Sequence, residues 1–315
     1  MREWIGILLS VLLLAGCTNG SASNTAKDVA TSQSLNEELT TLELPLPDVP
    51  STITKPQERA AFIIEHFWDA MDFSDTLRSH NSDFIEQNFA NFLSVFPYAE
   101  GSAQRQAVEV LLRKAECDRD AYVLLTEVAD KYLYDPNSPM LSEDYYILFL
   151  EQIVATPILD NYDKLRPRNQ LEDALKNRPG MTAIDFRYET REGRRTTLYK
   201  TQVKNELLMI FYDPDCDHCK EIITALRENQ MLKSKVEDKS LTVLAVYSGD
   251  MRELWAETSA TYPADWIIGY ESGAMQENGS YILRAMPTLY LLNSNKQVIL
   301  KDVLPQQLIE YLSER

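Results

Sequence analysis

From about residue 55, the chain repeats its apolar residues at the spacing of a helix. Ile85, Phe89, Phe92 and Phe96 follow one another at intervals of three or four, so they share one face of a helix. Similar stripes occur in residues 62–71, 108–112, 122–134 and 144–155. Prolines separate the stripes, and proline ends helices. The pattern predicts an all-α domain over residues 55–178, with the aromatic stripes forming its core rather than a cofactor site.

Polar residues stand where several of these helices are expected to begin. Asp83, Ser102 and Ser142 each precede an apolar stripe. Their side-chain oxygens can accept hydrogen bonds from the free backbone N–H groups of a first helical turn. We therefore predict these three residues as N-caps.

The pattern changes after residues 178–180, which read Arg-Pro-Gly. Residues 184–188 alternate apolar and polar positions, and residues 196–199 are expected to form the partner strand of a hairpin. Continuous apolar runs at residues 207–212 and 241–247 predict strands that are buried on both faces of a sheet.

A late hairpin and three helices complete this second part. Residues 288–292 and 298–300 predict the two strands of the hairpin. Helices are expected at residues 219–235, 252–258 and 305–312. Strands that alternate with helices in this order predict a mixed α/β sheet with helices on both faces.

The N-terminal residues lack such periodicity. Arg2 precedes a mostly apolar run at residues 5–14, which is too short to span a bilayer and is typical of a signal peptide. Residues 18–50 are rich in Ser, Thr and Asn and end in closely spaced prolines. We predict a signal peptide at residues 1–16, a flexible tether at 17–54, the helical domain at 55–178 and a second domain at 179–315.

Composition and charge narrow the possible functions. The chain has 315 residues, of which 44% are hydrophobic, so it can bury a sizeable core. Its formal net charge is -17, whereas a protein that binds nucleic acid needs a basic surface. The same charge disfavours electrostatic docking on an anionic membrane. We therefore predict no nucleic-acid partner.

Residues 14–17 read Leu-Ala-Gly-Cys, which resembles a bacterial lipobox. In that motif small residues fit the signal peptidase, and the cysteine thiol accepts a diacylglycerol group. Acyl chains on Cys17 would hold the mature protein at a membrane surface. Thr18 follows, rather than the Asp that retains many gram-negative lipoproteins in the inner membrane. We expect a lipid-anchored protein of the bacterial cell envelope that faces the periplasm, with the outer membrane favoured.

Cys216 and Cys219 stand at the junction between a predicted strand and a predicted helix. Two intervening residues bring the sulfurs close enough to bond across a first helical turn. At the helix N-terminus, unpaired backbone N–H groups stabilise a thiolate. We therefore predict that Cys216 is the attacking nucleophile and that the more buried Cys219 is the resolving thiol.

The residues around this cysteine pair disfavour several other functions for it. A zinc site needs two more ligands, but the chain has no second cysteine pair and only His66, His80 and His218. A copper-delivery thioredoxin would have a Cys-x-x-x-Cys spacing and a distal histidine, whereas here two residues separate the cysteines and no histidine follows His218. A peroxiredoxin would have Thr or Ser where Asp213 stands. We predict no metal and no cofactor, and a structural disulfide stays open.

The helical domain carries no motif that reveals its function. We expect it to bind a partner or to self-associate. Cys117 lies within it and is predicted to be a buried free thiol that packs as a small hydrophobic residue. The alternative is exchange with the redox pair, which requires a proximity that the sequence does not give.

From about residue 180, the chain resembles the TlpA/ResA group of envelope thioredoxins. Residues 180–186 resemble the opening strand of that group, and Cys-Asp-His-Cys at residues 216–219 lies at the place of its redox motif. Residues 281–292 resemble the segment that carries its cis-proline. The helical part resembles a domain of unknown function that precedes such thioredoxins in some gram-negative lipoproteins. The resemblance implies an α/β thioredoxin-like C-terminal domain, a mixed sheet flanked by helices, after an all-α domain.

The resemblance also implies roles for residues far from the cysteines. Pro287 matches the cis-proline, so the Met286–Pro287 bond is expected to be cis, with the proline ring beside the sulfurs. The backbone of Met286 would pair with a substrate segment as an added strand does. His218, between the two cysteines, is the second residue expected to contact substrate.

Two positions depart from the pattern of the group. Asp215 stands where a tryptophan usually precedes the first cysteine, and Ile210 stands where many relatives have a buried acid. The proton relay to the resolving thiol must therefore differ. Glu221, Asp213 and Asp217 are candidates for it, and the alternative is that they are solvated charges at the start of a helix.

Charges around the motif have opposed effects on its redox potential. A protonated His218 would stabilise the Cys216 thiolate, whereas the nearby aspartates would raise the pKa of the thiol by repulsion. We expect a potential between about -120 and -270 mV. The excess of carboxylates favours a reductant or an isomerase over a strong oxidase.

The sequence is compatible with two alternative functions. The first is a membrane-anchored thiol–disulfide oxidoreductase, a reductase or isomerase that acts on protein thiols and disulfides. The alternative is a non-catalytic binding or assembly lipoprotein in which the Cys-x-x-Cys forms a structural disulfide.

Overall fold

The computed structural model describes residues 43–314. The first part is helical, with a short 3-10 helix at Phe96–Tyr98. Its α-helices are α1 Pro56–His66, α2 Thr76–Ser79, α3 Ser82–Val95, α4 Gly101–Ala115, α5 Arg119–Leu133, α6 Glu143–Ala155 and α7 Leu165–Ala174. The predicted signal peptide and the lipidation site Cys17 lie outside the described residues.

The stripe on α3 forms the centre of the helical core. Ile85, Phe89, Phe92 and Phe96 are all fully buried. The ring centroids of Phe92 and Phe96 lie 4.8 Å apart in an edge-on arrangement, which is a favourable geometry for aromatic pairs. Phe89 packs on Phe149 of α6 at 5.3 Å. The prediction that these aromatic residues form a core is confirmed.

The predicted N-caps differ in outcome. Ser142 caps α6, where its hydroxyl accepts a hydrogen bond from the backbone N–H of Tyr145. The N-cap of α3 is Asn81 rather than Asp83, and α4 begins after Glu100 rather than at Ser102. Both wrong predictions placed the cap two residues late, because polar residues are also common within a first turn.

Part of the predicted tether packs against the helices. The backbone N–H of Leu44 donates a hydrogen bond of 2.7 Å to Oδ1 of the buried Asn88 on α3. The Leu44 side chain is 7% exposed and belongs to the helical core. A single leucine among prolines has no periodicity, so the sequence pattern gave no sign of this contact. The prediction of a flexible tether fails at Leu44, and residues 17–42 lie outside the described part.

A mixed sheet of seven strands fills the rest of the described chain, in the order β2-β1-β5-β4-β3-β6-β7. The strands are β1 Arg187–Thr190, β2 Arg195–Thr197, β3 Glu206–Tyr212, β4 Leu241–Ser248, β5 Ile267–Glu271, β6 Thr288–Asn293 and β7 Val298–Lys301. The helices are α8 Asp217–Glu228, α9 Gln230–Glu237, α10 Arg252–Ser259, α11 Ala274–Glu277 and α12 Pro305–Ser313. Strands β3, β4 and β5 are parallel, whereas β6 is antiparallel to β3.

Alternate side chains of β3 enter two different cores. Leu208, Ile210 and Tyr212 pack with residues of α8, α9 and α12 on one face of the sheet. Leu207, Met209 and Phe211 pack on the opposite face, against α11 and irregular segments. Burial on both faces explains why β3 is a continuous apolar run.

The structure contains two features that the pattern did not predict. Strand β5 joins β1 to β4, and its short apolar run is broken by Gly269. The helix expected at residues 219–235 is two helices, because Asn229 ends α8 and caps α9 through a hydrogen bond from Leu232. The predicted fold class, a mixed sheet flanked by helices after an all-α part, is confirmed.

Within residues 43–314, none of the helices has both the length and the apolar character needed to cross a membrane.

Candidate active site

Cys216 stands at the N-cap of α8, just after the carboxyl end of the central strand β3. Its backbone is extended, and its Sγ accepts a hydrogen bond of 3.1 Å from the backbone N–H of Cys219. An N–H group at a helix N-terminus stabilises a negative charge on sulfur. The side chain is partly accessible to solvent. This position has the environment of an attacking thiolate.

Cys219 occupies the opposite environment. It is fully buried in the core between β3 and α8. Burial raises the pKa of its thiol to about 12, because the thiolate loses hydration that the core does not replace. Both cysteines are free thiols in the structure. Cys219 is therefore protonated at neutral pH and becomes a nucleophile only when its proton is removed.

The structure brings the predicted proline loop to the cysteines. The Met286–Pro287 peptide bond is cis, as predicted. The carbonyl oxygen of Met286 lies 3.9 Å from Sγ of Cys216, although the two residues are 70 positions apart. Met286 is half-buried and contacts the cores on both faces of the sheet.

The charged residues of α8 are mostly exposed. Nδ1 of His218 lies 3.9 Å from a carboxylate oxygen of Glu221, and both side chains are more than half exposed. Asp217 forms an ion pair of 2.9 Å with Lys220, which lies in the next turn. Because exposed pairs interact weakly, these contacts hold the side chains only loosely.

Asp213, one of the three residues predicted as relay candidates, affects the pKa of Cys219 in two ways. Its backbone forms a hydrogen bond that lowers the pKa of the Cys219 thiol, while the negative charge of its carboxylate raises it. The Asp213 side chain also accepts a hydrogen bond of 2.8 Å from the backbone N–H of Asp215. This bond fixes the turn between β3 and Cys216.

Tyrosines form part of the wall around the buried thiol, and the sequence pattern did not identify them as site residues. The rings of Tyr212 and Tyr262 lie 5.2 Å apart. Burial raises the pKa of Tyr262 to about 12, and the charge of a Cys219 thiolate acts in the same direction. Tyr212 ends the predicted strand 207–212 just before the motif, so its position could have indicated a residue of the site. Tyr262 follows α10, far from the motif along the chain, and nothing in the sequence pattern links it to the site.

The carboxylate missing at Ile210 is not replaced nearby on the same strand. Ile210 is fully buried and pairs with Ala245 and Leu289 on the neighbouring strands. Glu271 is a buried acid at the end of β5, but it accepts hydrogen bonds from the Ser248 hydroxyl and from two backbone N–H groups. With its oxygens occupied in this way, Glu271 fastens the turn after β5.

Other predicted groups lie apart from this site. Cys117 is exposed, so the prediction of a buried thiol was wrong. It follows α4 where the chain turns into α5, and the thiol donates only to the backbone oxygen of Lys114. Among residues 43–314, no three His, Cys, Asp or Glu side chains form a cluster that could hold a metal ion.

Comparisons with known proteins agree with this architecture. The family described as "Domain of unknown function (DUF5106)" matches residues 20–177, which is half of the chain. A crystal structure of a thioredoxin-like protein from Bacteroides caccae has 35% sequence identity and a TM-score of 0.82, and the match covers 86% of this chain and 98% of that one. Comparison with curated protein sequences gave no significant match.

Two shorter structures match over part of the chain. A conserved protein of unknown function from Bacteroides fragilis has 38% identity, with 43% of this chain and 98% of that chain covered and a TM-score of 0.41. A C-terminal domain of an uncharacterized protein from Bacteroides fragilis has 33% identity, with 44% and 98% covered and a TM-score of 0.42. From the match over residues 20–177 and the similarity along most of the chain, we conclude that this protein belongs to the DUF5106 family and is a thioredoxin-like protein.

Proposed function

We propose that the protein is a thiol–disulfide oxidoreductase that acts on protein substrates, with Cys216 as the attacking residue and Cys219 as the resolving residue. One observation carries the proposal. The accessible Cys216 sulfur lies at the N-terminus of α8, and the Met286 carbonyl lies 3.9 Å away. The thioredoxin-like relative is in agreement with redox chemistry at this place.

The reaction proceeds through a mixed disulfide. The Cys216 thiolate attacks one sulfur of a substrate disulfide, and the other substrate sulfur leaves as a thiolate that takes up a proton. Cys219 then gives up its proton and attacks the Cys216 sulfur. The second substrate sulfur leaves as a thiolate and is protonated in turn. The substrate is thereby reduced to two thiols and the protein is oxidised to a Cys216–Cys219 disulfide, which an external dithiol reduces again.

The loop at Met286 and Pro287 supports a protein substrate. An extended segment next to the attacked sulfur could pair with the backbone of Met286 as an added strand does. His218 is exposed beside Cys216 and would contact the same segment. Attack of Cys219 on the mixed disulfide releases a reduced substrate, which is the reaction of a reductase. Repeated exchange within one substrate gives an isomerase.

The assay is reduction of insulin or rearrangement of a scrambled disulfide protein. We expect turnover by the intact protein and loss of turnover in Cys216→Ser, because serine cannot form a mixed disulfide. A Cys219→Ser variant should accumulate mixed disulfides with its substrates, which identifies them directly. Equal activity of Cys216→Ser and the unchanged protein would refute the assignment.

A second candidate function is supported by Asp215, which departs from the usual residue before such a motif. Here the protein is a binding or assembly lipoprotein, and the cysteine pair is a structural disulfide. A redox titration separates the two functions. A catalytic pair should titrate between about -120 and -270 mV, whereas a structural disulfide lies below about -300 mV.

We also propose that the protein acts in the cell envelope, held by acyl chains on Cys17 and facing the periplasm, with the outer membrane favoured. The Leu-Ala-Gly-Cys sequence at residues 14–17 supports this proposal. Mass spectrometry of the mature N-terminus should find a lipid-modified cysteine. A Cys17→Ser variant that fractionates with membranes as the unchanged protein does would contradict it.

A further inference from the structure

Arg284 joins the proline loop to the helical part of the molecule. It lies two residues before Met286, and its side chain is only 10% exposed. Its guanidinium stacks over the ring of Tyr134 at 4.3 Å from the centroid and donates a hydrogen bond of 3.2 Å to the Tyr134 carbonyl. The two residues are 150 positions apart. Arg284 also pairs with Asp302, after β7, at 2.5 Å.

Glu143 completes a buried set of four charges. It is the first residue of α6. One of its carboxylate oxygens lies 3.9 Å from Arg284, and the other lies 2.5 Å from Lys301 of β7. Side-chain exposure within the set is 10% for Arg284 and Lys301, 19% for Glu143 and 21% for Asp302. Two cations and two anions therefore balance in a contact that is mostly shielded from water.

Such a contact holds its members in one arrangement. Removing one partner from a buried ion pair leaves the other charge without water or a counter-charge, which is costly. A planar guanidinium held on one face by an aromatic ring and at its edge by oxygens has few alternative positions. Arg284 is thus fixed from the helical side by Tyr134 and Glu143, and from the sheet side by Asp302.

The anchored segment is the one that approaches Cys216. Toward its beginning, the Tyr281 hydroxyl donates a hydrogen bond of 2.6 Å to the carbonyl of Ile184. At its end, the Thr288 hydroxyl donates one of 2.6 Å to the carbonyl of Ala285. Between these points Arg284 supplies the contact with the helical part. Without that contact, the backbone at Met286 would have more freedom to move away from a substrate segment.

We propose that the helical part positions the Met286–Pro287 loop through Arg284, so that Tyr134 and Glu143 are positioning residues for protein substrates. This inference rests on the proposed thiol–disulfide exchange. It assigns the helical part a function in the reaction, because a misplaced loop would weaken substrate pairing without altering the two cysteines.

The test compares two disulfides of different size. Insulin needs the loop for backbone pairing, whereas the small aromatic disulfide DTNB needs only an accessible Cys216 thiolate. All proteins in the comparison carry Cys117→Ser, because Cys117 is exposed and would also react with DTNB. We expect Glu143→Gln and Tyr134→Leu to lower kcat/KM for insulin about ten-fold, since a displaced contact of this kind can cost up to a hundred-fold. The lower kcat/KM should result mainly from a higher KM for insulin. The rate with DTNB should stay within two-fold of the unchanged protein. The redox potential should equal that of the unchanged protein within experimental error.

Asp144→Asn is the matched control. Asp144 also lies in the first turn of α6, next to Glu143, but it pairs at 2.9 Å with Arg178, and both of these side chains are more exposed than Glu143. Its kinetics with insulin should match the unchanged protein. Tyr134→Leu keeps all four buried charges, so it provides the test even where Glu143→Gln does not fold.

Two results would overturn the inference. One is that insulin kinetics are unchanged in both Glu143→Gln and Tyr134→Leu. The other is an equal loss of rate with insulin and with DTNB, which would indicate general damage to the site. Failure of the proposed function is a different result. In that case the unchanged protein shows no catalytic turnover of either disulfide, although its cysteines react once with DTNB in a stoichiometric step.

Discussion

At the scale of single residues, Cys216 and Cys219 have the same side chain in opposite surroundings. Cys216 is partly accessible and receives an N–H hydrogen bond, while Cys219 is fully buried and lies beside tyrosine rings. The raised pKa of Cys219 follows from lost hydration. One turn of helix therefore separates a thiol that can meet substrate from a thiol that can meet only its neighbour.

This difference predicts the order of alkylation. In the reduced protein at pH 8, iodoacetamide should modify Cys216 at least about ten-fold faster than Cys219, since only a thiolate reacts and access is also required. Peptide mass spectrometry measures both rates. The experiment uses a Cys117→Ser background because Cys117 is exposed and would also react. Equal rates at the two positions would contradict the assignment of roles.

At the scale of secondary structure elements, the site depends on the strands that hold β3 in place. Parallel β4 and antiparallel β6 flank β3, so the turn at Asp213 emerges from the middle of the sheet. Strand β5 extends the sheet from β4 toward β1. A weak point in β5 would therefore loosen the edge of the sheet before it affected the cysteines.

Gly269 is such a point. A Cβ atom at this position would lie 2.9 Å from Cδ2 of the buried Tyr188 ring and 3.4 Å from a methyl group of Val246. We expect Gly269→Ala to lower the free energy of unfolding by about 1–3 kcal/mol, the usual cost of overpacking. Denaturant titration measures it. Gly101→Ala, which meets only a glutamine oxygen at 4.0 Å, is the control and should be close to neutral.

The hydrogen bonds of Asp118, the N-cap of α5, lead us to expect that the stability of the protein depends on pH. Its carboxylate accepts hydrogen bonds from the Ala121 N–H and from the ring of His80, each at 2.9 Å. These bonds hold the pKa of Asp118 below its ordinary value, with the backbone bond as the main cause. A lowered pKa means that the contribution to stability is complete above about pH 4 and is lost as the pH falls through the folded value.

An asparagine at position 118 keeps the cap but cannot lose a charge. Asp118→Asn should therefore lose less stability than the unchanged protein between pH 6 and pH 3. Urea midpoints at the two pH values measure the loss for each protein. Parallel losses would show that the cap does not depend on ionisation.

At the scale of the whole molecule, the helical part and the sheet have separate hydrophobic cores joined by a charged contact. The core of the helices includes residues from Leu44 to Leu159, and the cores of the sheet begin at Ala183. Between them lies the set formed by Glu143, Lys301 and Arg284, with Asp302 beside it. The relative placement of the two parts therefore depends in part on ions that have lost most of their water.

Lys301→Met tests how much that contact contributes. It leaves Glu143 with Arg284 as its remaining basic neighbour, at 3.9 Å. We expect a loss of about 3 kcal/mol in the free energy of unfolding, because the buried Glu143 loses its nearer partner and the carbonyl oxygens of Ala174 and Lys176 lose a donor. Arg105→Met breaks the more exposed pair between Arg105 and Glu151 and should cost less than about 1 kcal/mol. Equal effects of the two changes would show that burial of the network adds no stability.

The sequence by itself determined the elements whose signals are local. The aromatic stripe of α3, the apolar run of β3 and the Cys-x-x-Cys spacing all lie within a few residues, so side-chain period and turn geometry identify them directly. The resemblance carried by the segment around Pro287 added the cis bond, which the structure confirms. Strand β5, interrupted by Gly269, lacked a pattern strong enough to predict.

Tertiary structure alone decided what these elements meet. Met286 reaches Cys216 across 70 residues, and Arg284 reaches Tyr134 across 150. Burial of Cys219, exposure of Cys117 and the packing of Leu44 likewise depend on which surfaces come together. Periodicity describes one element and its own faces. The environment of a side chain is set by its neighbours in space, and many of those lie far away along the chain.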